Sequence, residues 1–192
     1  GLMLASGNDA AVAIAGECGG MTAFVGKMNA KAAELGLTDT HFDNPNGLPS
    51  DTHYTTAHEL AKITAAALKD PVFRQIVSTK SCTVSGHALS NHNRLLSMYD
   101  GAIGVKTGFT RAAGRCLVSA AERNGRTIIA VTLNDPNDWN DHMEMLDAGF
   151  AQYSEVTLHK AGDTIANARV FGGDTASVPL AAKNTVTAYL LP

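Results

Sequence analysis

The sequence predicts an α+β chain that runs into the start of a small all-β domain. Three observations carry this. Alanine-rich stretches with helical spacing fill the first part, and strand-like runs joined by tight turns begin near residue 79. After Tyr153 the helical texture is gone and only short β-like runs remain. Residues 1–153 are therefore assigned to one domain, and 154–192 to the beginning of a β-rich second one.

Each element has its own signal. Gly1 to Ala5 reads as the apolar end of a helix. Residues 8–18 (NDAAVAIAGEC) and 20–35 (GMTAFVGKMNAKAAEL) are rich in helix formers, and Phe24, Met28 and Leu35 recur on one face of the second. Gly36 is placed as its C-terminal cap. Residues 42–51 (FDNPNGLPSD) cluster Asn, Pro, Gly and Asp and must be loop. Thr56 and Glu59 form a capping box opening a helix through about Lys69, and Asp70-Pro71 starts a shorter one. A hairpin turning at Ser85-Gly86 follows. Residues 115–122 and 126–133 are strands joined by Asn124-Gly125, a strong hairpin signal. Residues 138–153 close the domain as a helix with apolar residues at 139, 143, 146 and 150. Four β-like runs then alternate with turns, the last ending at Leu191.

Composition narrows the function. Hydrophobic residues make up 45% and charged residues 17% of the 192 positions, ordinary values for a folded chain. A net charge of −3 with no Lys/Arg block argues against a nucleic-acid surface or a polybasic membrane anchor. No apolar run approaches the roughly 18 residues of a membrane span. Cys18, Cys82 and Cys116 are too few and too scattered for a disulfide framework, and read as small buried hydrophobes. His58-Glu59 begins what is almost an H-E-x-x-H metal motif, but the fifth position is Lys62, so no metal or other cofactor is expected.

Two short motifs carry the chemistry: Ser6-Gly7-Asn8 and, about a hundred residues on, Lys106-Thr107-Gly108. Ser6 with Asp9 has a plain structural reading as a capping box. In order and together the motifs say more, because S-D-N and K-T-G accompany S-x-x-K in penicillin-binding proteins and class A β-lactamases. A cationic Lys106 beside Ser6 relays a proton and places positive potential at an acyl-transfer centre. The Thr107 hydroxyl suits a substrate carboxylate. Gly108 leaves a strand edge clear for an extended peptide, and Asn8 offers a donor and an acceptor to a substrate amide.

On these motifs the sequence resembles the serine D-alanyl-D-alanine carboxypeptidases, the low-molecular-mass penicillin-binding proteins. LASGNDAAVAIA, the stretch from FVGKMNAKAAEL through TTAHELA, NHNRLL, and GVKTGFTRAAGRCLVSAAERNGRTIIAVTL are similar to that family's segments, in its order. VFGGDTASVPLAAKNTVTAYLLP resembles the start of its C-terminal β domain. The resemblance implies a penicillin-binding protein/serine β-lactamase-like domain, an antiparallel sheet flanked by helices, here incomplete. It implies removal of the terminal D-alanine from peptidoglycan stem peptides through a serine acyl-enzyme, inhibition by β-lactams, and a place outside the cytoplasmic membrane. Ser6, Asn8 and Lys106 would be catalytic. Thr107, Gly108, the Phe109 backbone N–H, and either His92 or Arg94 would meet the substrate. Gly7 favours a carboxypeptidase over a class A β-lactamase, which usually has Asp there.

One part of the pattern is missing. None of the serines is followed three residues later by lysine; Ser78-Thr79-Lys80 comes nearest, at a spacing that does not stack two side chains on a helix. The nucleophile is expected from a segment N-terminal to Gly1 or from a second polypeptide, with exposed apolar surface where that part packs. These 192 residues by themselves are expected not to turn over substrate. The other classes are a non-catalytic peptidoglycan-peptide-binding fragment and a serine β-lactamase. Gly104 to Thr110 is expected as an edge strand bordering the groove.

Overall fold

A computed structural model of the chain describes residues 1–190; Leu191, the end of the last predicted β run, and Pro192 lie outside them. The chain divides into two compact units, one from Gly1 to Asp147 and a second that begins at Ala148. This division falls inside the closing helix, ahead of the boundary expected at 153/154.

The first unit opens with α1 (Leu2–Ala5), a single turn, then α2 (Asn8–Glu17) and α3 (Met21–Glu34). Gly36, at φ 68°, ends α3. Its N–H reaches Ala33 O and the Leu37 N–H reaches Ala32 O, both at 3.0 Å, the paired cap that a left-handed residue permits. α4 (Ala57–Ala67) starts behind Thr56, whose Oγ1 accepts the Glu59 N–H at 3.2 Å. The other half of the capping box is not made. The buried Glu59 carboxylate instead accepts the Thr38 N–H at 2.9 Å and the Thr40 hydroxyl at 2.5 Å, fastening a distant segment. α5 (Pro71–Ser78) begins behind Asp70, whose Oδ1 accepts the Val72 and Phe73 N–H groups at 2.7 and 3.1 Å.

The hairpin β1 (Ser81–Val84) and β2 (His87–Ser90) turns at Ser85-Gly86, and a short α6 (Leu95–Met98) leads into the sheet. That sheet contains β3 (Ala102–Thr110), β4 (Gly114–Arg123) and β5 (Arg126–Thr132), antiparallel, in the order β3-β4-β5. Asn124 and Gly125, at φ 53° and 74°, make the β4–β5 turn; two positive φ values match the right-handed strand twist. Val77 of α5, Val105 and Ala120 form a buried cluster, with Met3 and Phe73 packed against it. Gly104 lies where α5 presses on β3: a Cβ there would sit 2.8 Å from Val77 Cγ2.

α7 (Asp138–Gln152) packs near β4 and β5, and its buried seam differs from the apolar stripe expected at 139, 143, 146 and 150. Asp138, His142 and Leu146 are the buried positions, so two polar groups occupy the most enclosed sites. They tolerate burial because each is satisfied. The His142 ring lies between the Ser119 hydroxyl, 2.6 Å from Nδ1, and the Thr132 hydroxyl, 3.0 Å from Nε2. Burial lowers the His142 pKa to about 4. The three cysteines are free thiols and only half-buried, against the full burial expected.

In the second unit β6 (Ser154–His159) pairs with β9 (Val186–Leu190), and β7 (Thr164–Arg169) with β8 (Ser177–Ala181), all antiparallel. Ala182 is the one buried side chain among its described residues. No helix of the described residues is long and apolar enough to cross a membrane.

Candidate active site

The site begins at the α1–α2 junction. Ser6 ends α1 in the left-handed region, at φ 54° and ψ 38°, where a side chain with a Cβ is uncommon. Its N–H reaches Leu2 O at 3.1 Å, and Gly7 then starts α2. A Cβ on Gly7 would lie 2.8 Å from Asp9 Oδ1, so the reversal is tight. The Ser6–Asp9 capping box is not formed: Gly7 occupies the cap position and Asp9 Oδ1 accepts the neighbouring Ala10 N–H at 2.8 Å. The Ser6 hydroxyl instead accepts a hydrogen bond from Lys106 Nζ, across 100 residues of sequence.

Lys106 reaches this point from β3, and its Nζ also donates to Thr107 O at 2.6 Å. Burial holds its ammonium below the ordinary lysine range, which eases transfer of a proton to a neighbour. Among the described strands β3 pairs only with β4, so its free edge offers backbone groups to a further extended segment. Gly108 opens that edge without being required by packing. A Cβ there would meet Cys116 at 3.8 Å, an ordinary contact.

A cavity of about 570 Å³ collects these groups. Ser6, Asn8, His92 and the strand from Lys106 to Thr110 line it. The His92 N–H is held by Leu4 O at 3.1 Å, which ties the NHNRLL segment to α1. Arg94 is not among the lining residues; its guanidinium lies 5.9 Å from the Trp139 ring centroid. Of His92 and Arg94, the two residues expected at the substrate carboxylate, His92 is the one that lines the cavity.

The remaining lining residues carry no motif in the sequence. Asn46, Gly47 and Leu48 come from the 42–51 loop. Asn44 builds that turn by accepting the Gly47 and Leu48 N–H groups at 2.8 and 3.1 Å and donating to Leu48 O at 2.9 Å. Arg115, Asp138 and Trp139 also line the cavity. Arg115 holds Asp138 through Nε at 3.1 Å and Nη2 at 2.7 Å, and lies 5.6 Å from the Trp139 ring centroid. The signal that could have found Asp138 is its place in the first turn of a helix, opposite a strand arginine.

Residues 1–137 match the family described as D-alanyl-D-alanine carboxypeptidase. The chain belongs to that family. It is 42% identical over 170 residues to the D-alanyl-D-alanine carboxypeptidase DacB2 of Mycobacterium tuberculosis, covering 82% of this chain and 58% of that protein. It is 36% identical over 196 residues to DacF of Bacillus subtilis, covering 97% of this chain and 50% of the relative. Among solved structures, penicillin binding protein 5 from Haemophilus influenzae matches with a TM-score of 0.85 and 32% identity, over 100% of this chain and 58% of that one. The Streptomyces DD-transpeptidase matches at a TM-score of 0.74 and 41% identity, over 79% of this chain and 65% of its own. The penicillin-binding protein fold of the family is thus present, and the chain spans between half and two thirds of these relatives.

Proposed function

We propose that these residues form the substrate-binding and proton-handling side of a serine D-alanyl-D-alanine carboxypeptidase. The observation that carries the reading is the hydrogen bond between Lys106 Nζ and Ser6 Oγ at the open edge of β3. The substrate is a peptidoglycan stem peptide ending in D-Ala-D-Ala, laid along β3 beside Gly108. Thr107 and His92 hold the terminal carboxylate, Asn8 the peptide amide, and the Phe109 N–H the developing oxyanion.

The reaction runs in two steps. A serine attacks the penultimate carbonyl, the C–N bond breaks, and D-alanine leaves with a proton delivered along Lys106 and Ser6. Water then hydrolyses the acyl-serine. The nucleophile belongs to an S-x-x-K motif outside these 192 residues. A second polypeptide has no support, since each relative named above carries its remaining length in the same chain as the matched part. β-Lactams acylate the same serine, and the site faces the extracytoplasmic peptidoglycan. Residues 1–153 are the proposed share of the catalytic domain, and 154 onward of the β-rich one.

The test is intact mass and product analysis of the full-length protein. One covalent β-lactam per molecule, with release of D-alanine from a D-Ala-D-Ala peptide, is the expected result. No adduct and no D-alanine would leave only a peptide-binding role.

A further inference from the structure

The loop that brings Asn46, Gly47 and Leu48 to the cavity is closed at its base by a histidine that no step of the proposed reaction uses. Its two ends are joined where His41 pairs with Tyr54: the His41 N–H reaches Tyr54 O at 2.9 Å and the Tyr54 N–H reaches His41 O at 3.1 Å. Asn29 of α3 then clamps the Phe42 backbone, accepting its N–H and donating to its carbonyl, both at 2.8 Å. The next residue, Asp43, donates its N–H to His53 Nδ1 at 3.2 Å. Asn44 follows and builds the turn that carries Leu48. His53 therefore takes the backbone donor immediately before the cavity-facing turn. The Phe42 ring lies edge-on to it, with centroids 5.7 Å apart. A second tie at the base is the Thr52 hydroxyl, which donates to Asp43 Oδ2 at 2.8 Å.

The Asp43–His53 contact exists in one protonation state only. A neutral imidazole has one donor and one acceptor nitrogen, so Nδ1 accepts only while the ring proton sits on Nε2. A second proton sets a ring N–H against the Asp43 N–H, and the bond is lost. His41 is wired the other way. Its Nδ1 lies 2.8 Å from Thr52 O and 3.3 Å from Asp43 Oδ1, both acceptors, so a protonated ring keeps its partners. Asp43 and His41 are the charged or titratable groups acting on the His53 ring among the described residues. Burial and His41 favour the neutral ring and outweigh the Asp43 carboxylate, so the His53 pKa lies below the 6.5 of an ordinary histidine. We infer that His53 is a positioning residue, whose unprotonated ring holds the 42–51 loop, and with it Leu48, against a stem peptide in the cavity. Acidification through the His53 titration loosens that wall. The inference rests on the carboxypeptidase reading above and adds a pH dependence to the same site.

The experiment measures KM and kcat for D-alanine release by the full-length wild type, His53→Asn and His53→Ala, from about pH 8 down to about pH 5. Asparagine offers an acceptor oxygen near the place of Nδ1 and takes up no proton, whereas alanine has no acceptor. On acidification the wild-type KM should rise about fivefold relative to that of His53→Asn, the scale of one hydrogen bond, with kcat changing alike in both. His53→Ala should show the raised KM already at about pH 8. Effects of pH on Lys106 or His92 are common to these proteins and cancel in the ratio. Hydrogen exchange reads the contact itself: protection of the Asp43 amide should fall on acidification in the wild type and persist in His53→Asn. The same pH course of KM in the wild type and His53→Asn, or wild-type Asp43 protection that does not change with pH, would overturn the inference while leaving the carboxypeptidase reading standing. That comparison does not depend on His53→Ala folding. No D-alanine from a D-Ala-D-Ala peptide and no β-lactam adduct at any pH would overturn both.

Discussion

The two compact units are equally regular in secondary structure and quite unlike in burial. From Gly1 to Asp147, helices cover the sheet, Leu95, Leu117 and Leu146 are fully buried, and buried polar groups such as His142 are hydrogen bonded. From Ala148 onward, four strands pair in two antiparallel ladders, yet Leu158, Ile165, Leu180 and Val186 are each more than 40% exposed. Alternation and turn chemistry suffice to make a strand, but burying one requires a facing layer, and only the first unit has it among the described residues. A precise site needs rigid support, so Ser6, Lys106 and the cavity belong to the first unit.

Core truncations should separate the two units most sharply. Leu117→Ala removes a fully buried side chain and should cost about 2–5 kcal/mol in denaturant unfolding, whereas Leu180→Ala should stay within about 0.5 kcal/mol. Similar losses at both positions would break the contrast.

Acid should act on the first unit through His142. Its folded pKa of about 4 lies below the 6.5 of an ordinary histidine, so the unfolded chain binds more protons between those values. The stabilisation is complete above about pH 6.5 and is lost as pH falls towards 4, on the order of 3 kcal/mol in all. Unfolding free energy measured across that range should show the step, and His142→Gln should flatten it. A smaller effect is expected at the cavity wall. Asp138→Asn removes a buried carboxylate from Arg115 and should cost about 2 kcal/mol by thermal unfolding.

The smallest stability effect should come from Gly108→Ala, within about 0.5 kcal/mol, because the added methyl meets only an ordinary contact. Its activity should nevertheless drop at least tenfold in D-alanine release, since the methyl projects beside the peptide edge. A large stability loss instead would mean that Gly108 serves the fold.

Much of this was legible in residue order. Gly36, Asp70-Pro71 and Asn124-Gly125 specify their caps and turn by local backbone chemistry, and each is found where expected. Glu59 and α7 show the limit. The Glu59 carboxylate leaves its own cap for Thr38 and Thr40, and Asp138 and His142 displace apolar neighbours from the buried seam because strand partners satisfy them. Long-range pairing decides such cases, and periodicity carries no information about it. The same holds for the site. The motifs at Ser6 and Lys106 were readable, but the loop at Asn46 and the Arg115–Asp138–Trp139 wall are brought in only by tertiary packing.

The proposed function makes the Lys106–Ser6 contact part of an acyl-transfer site. The most direct test is the second-order rate at which a β-lactam acylates the full-length protein, compared with Lys106→Ala. A fall of about 100-fold or more is expected, the scale of a positioned proton-transfer group, with one adduct per molecule in the wild type. A rate within about twofold of the wild type would contradict it, and would make the contact at β3 a structural one.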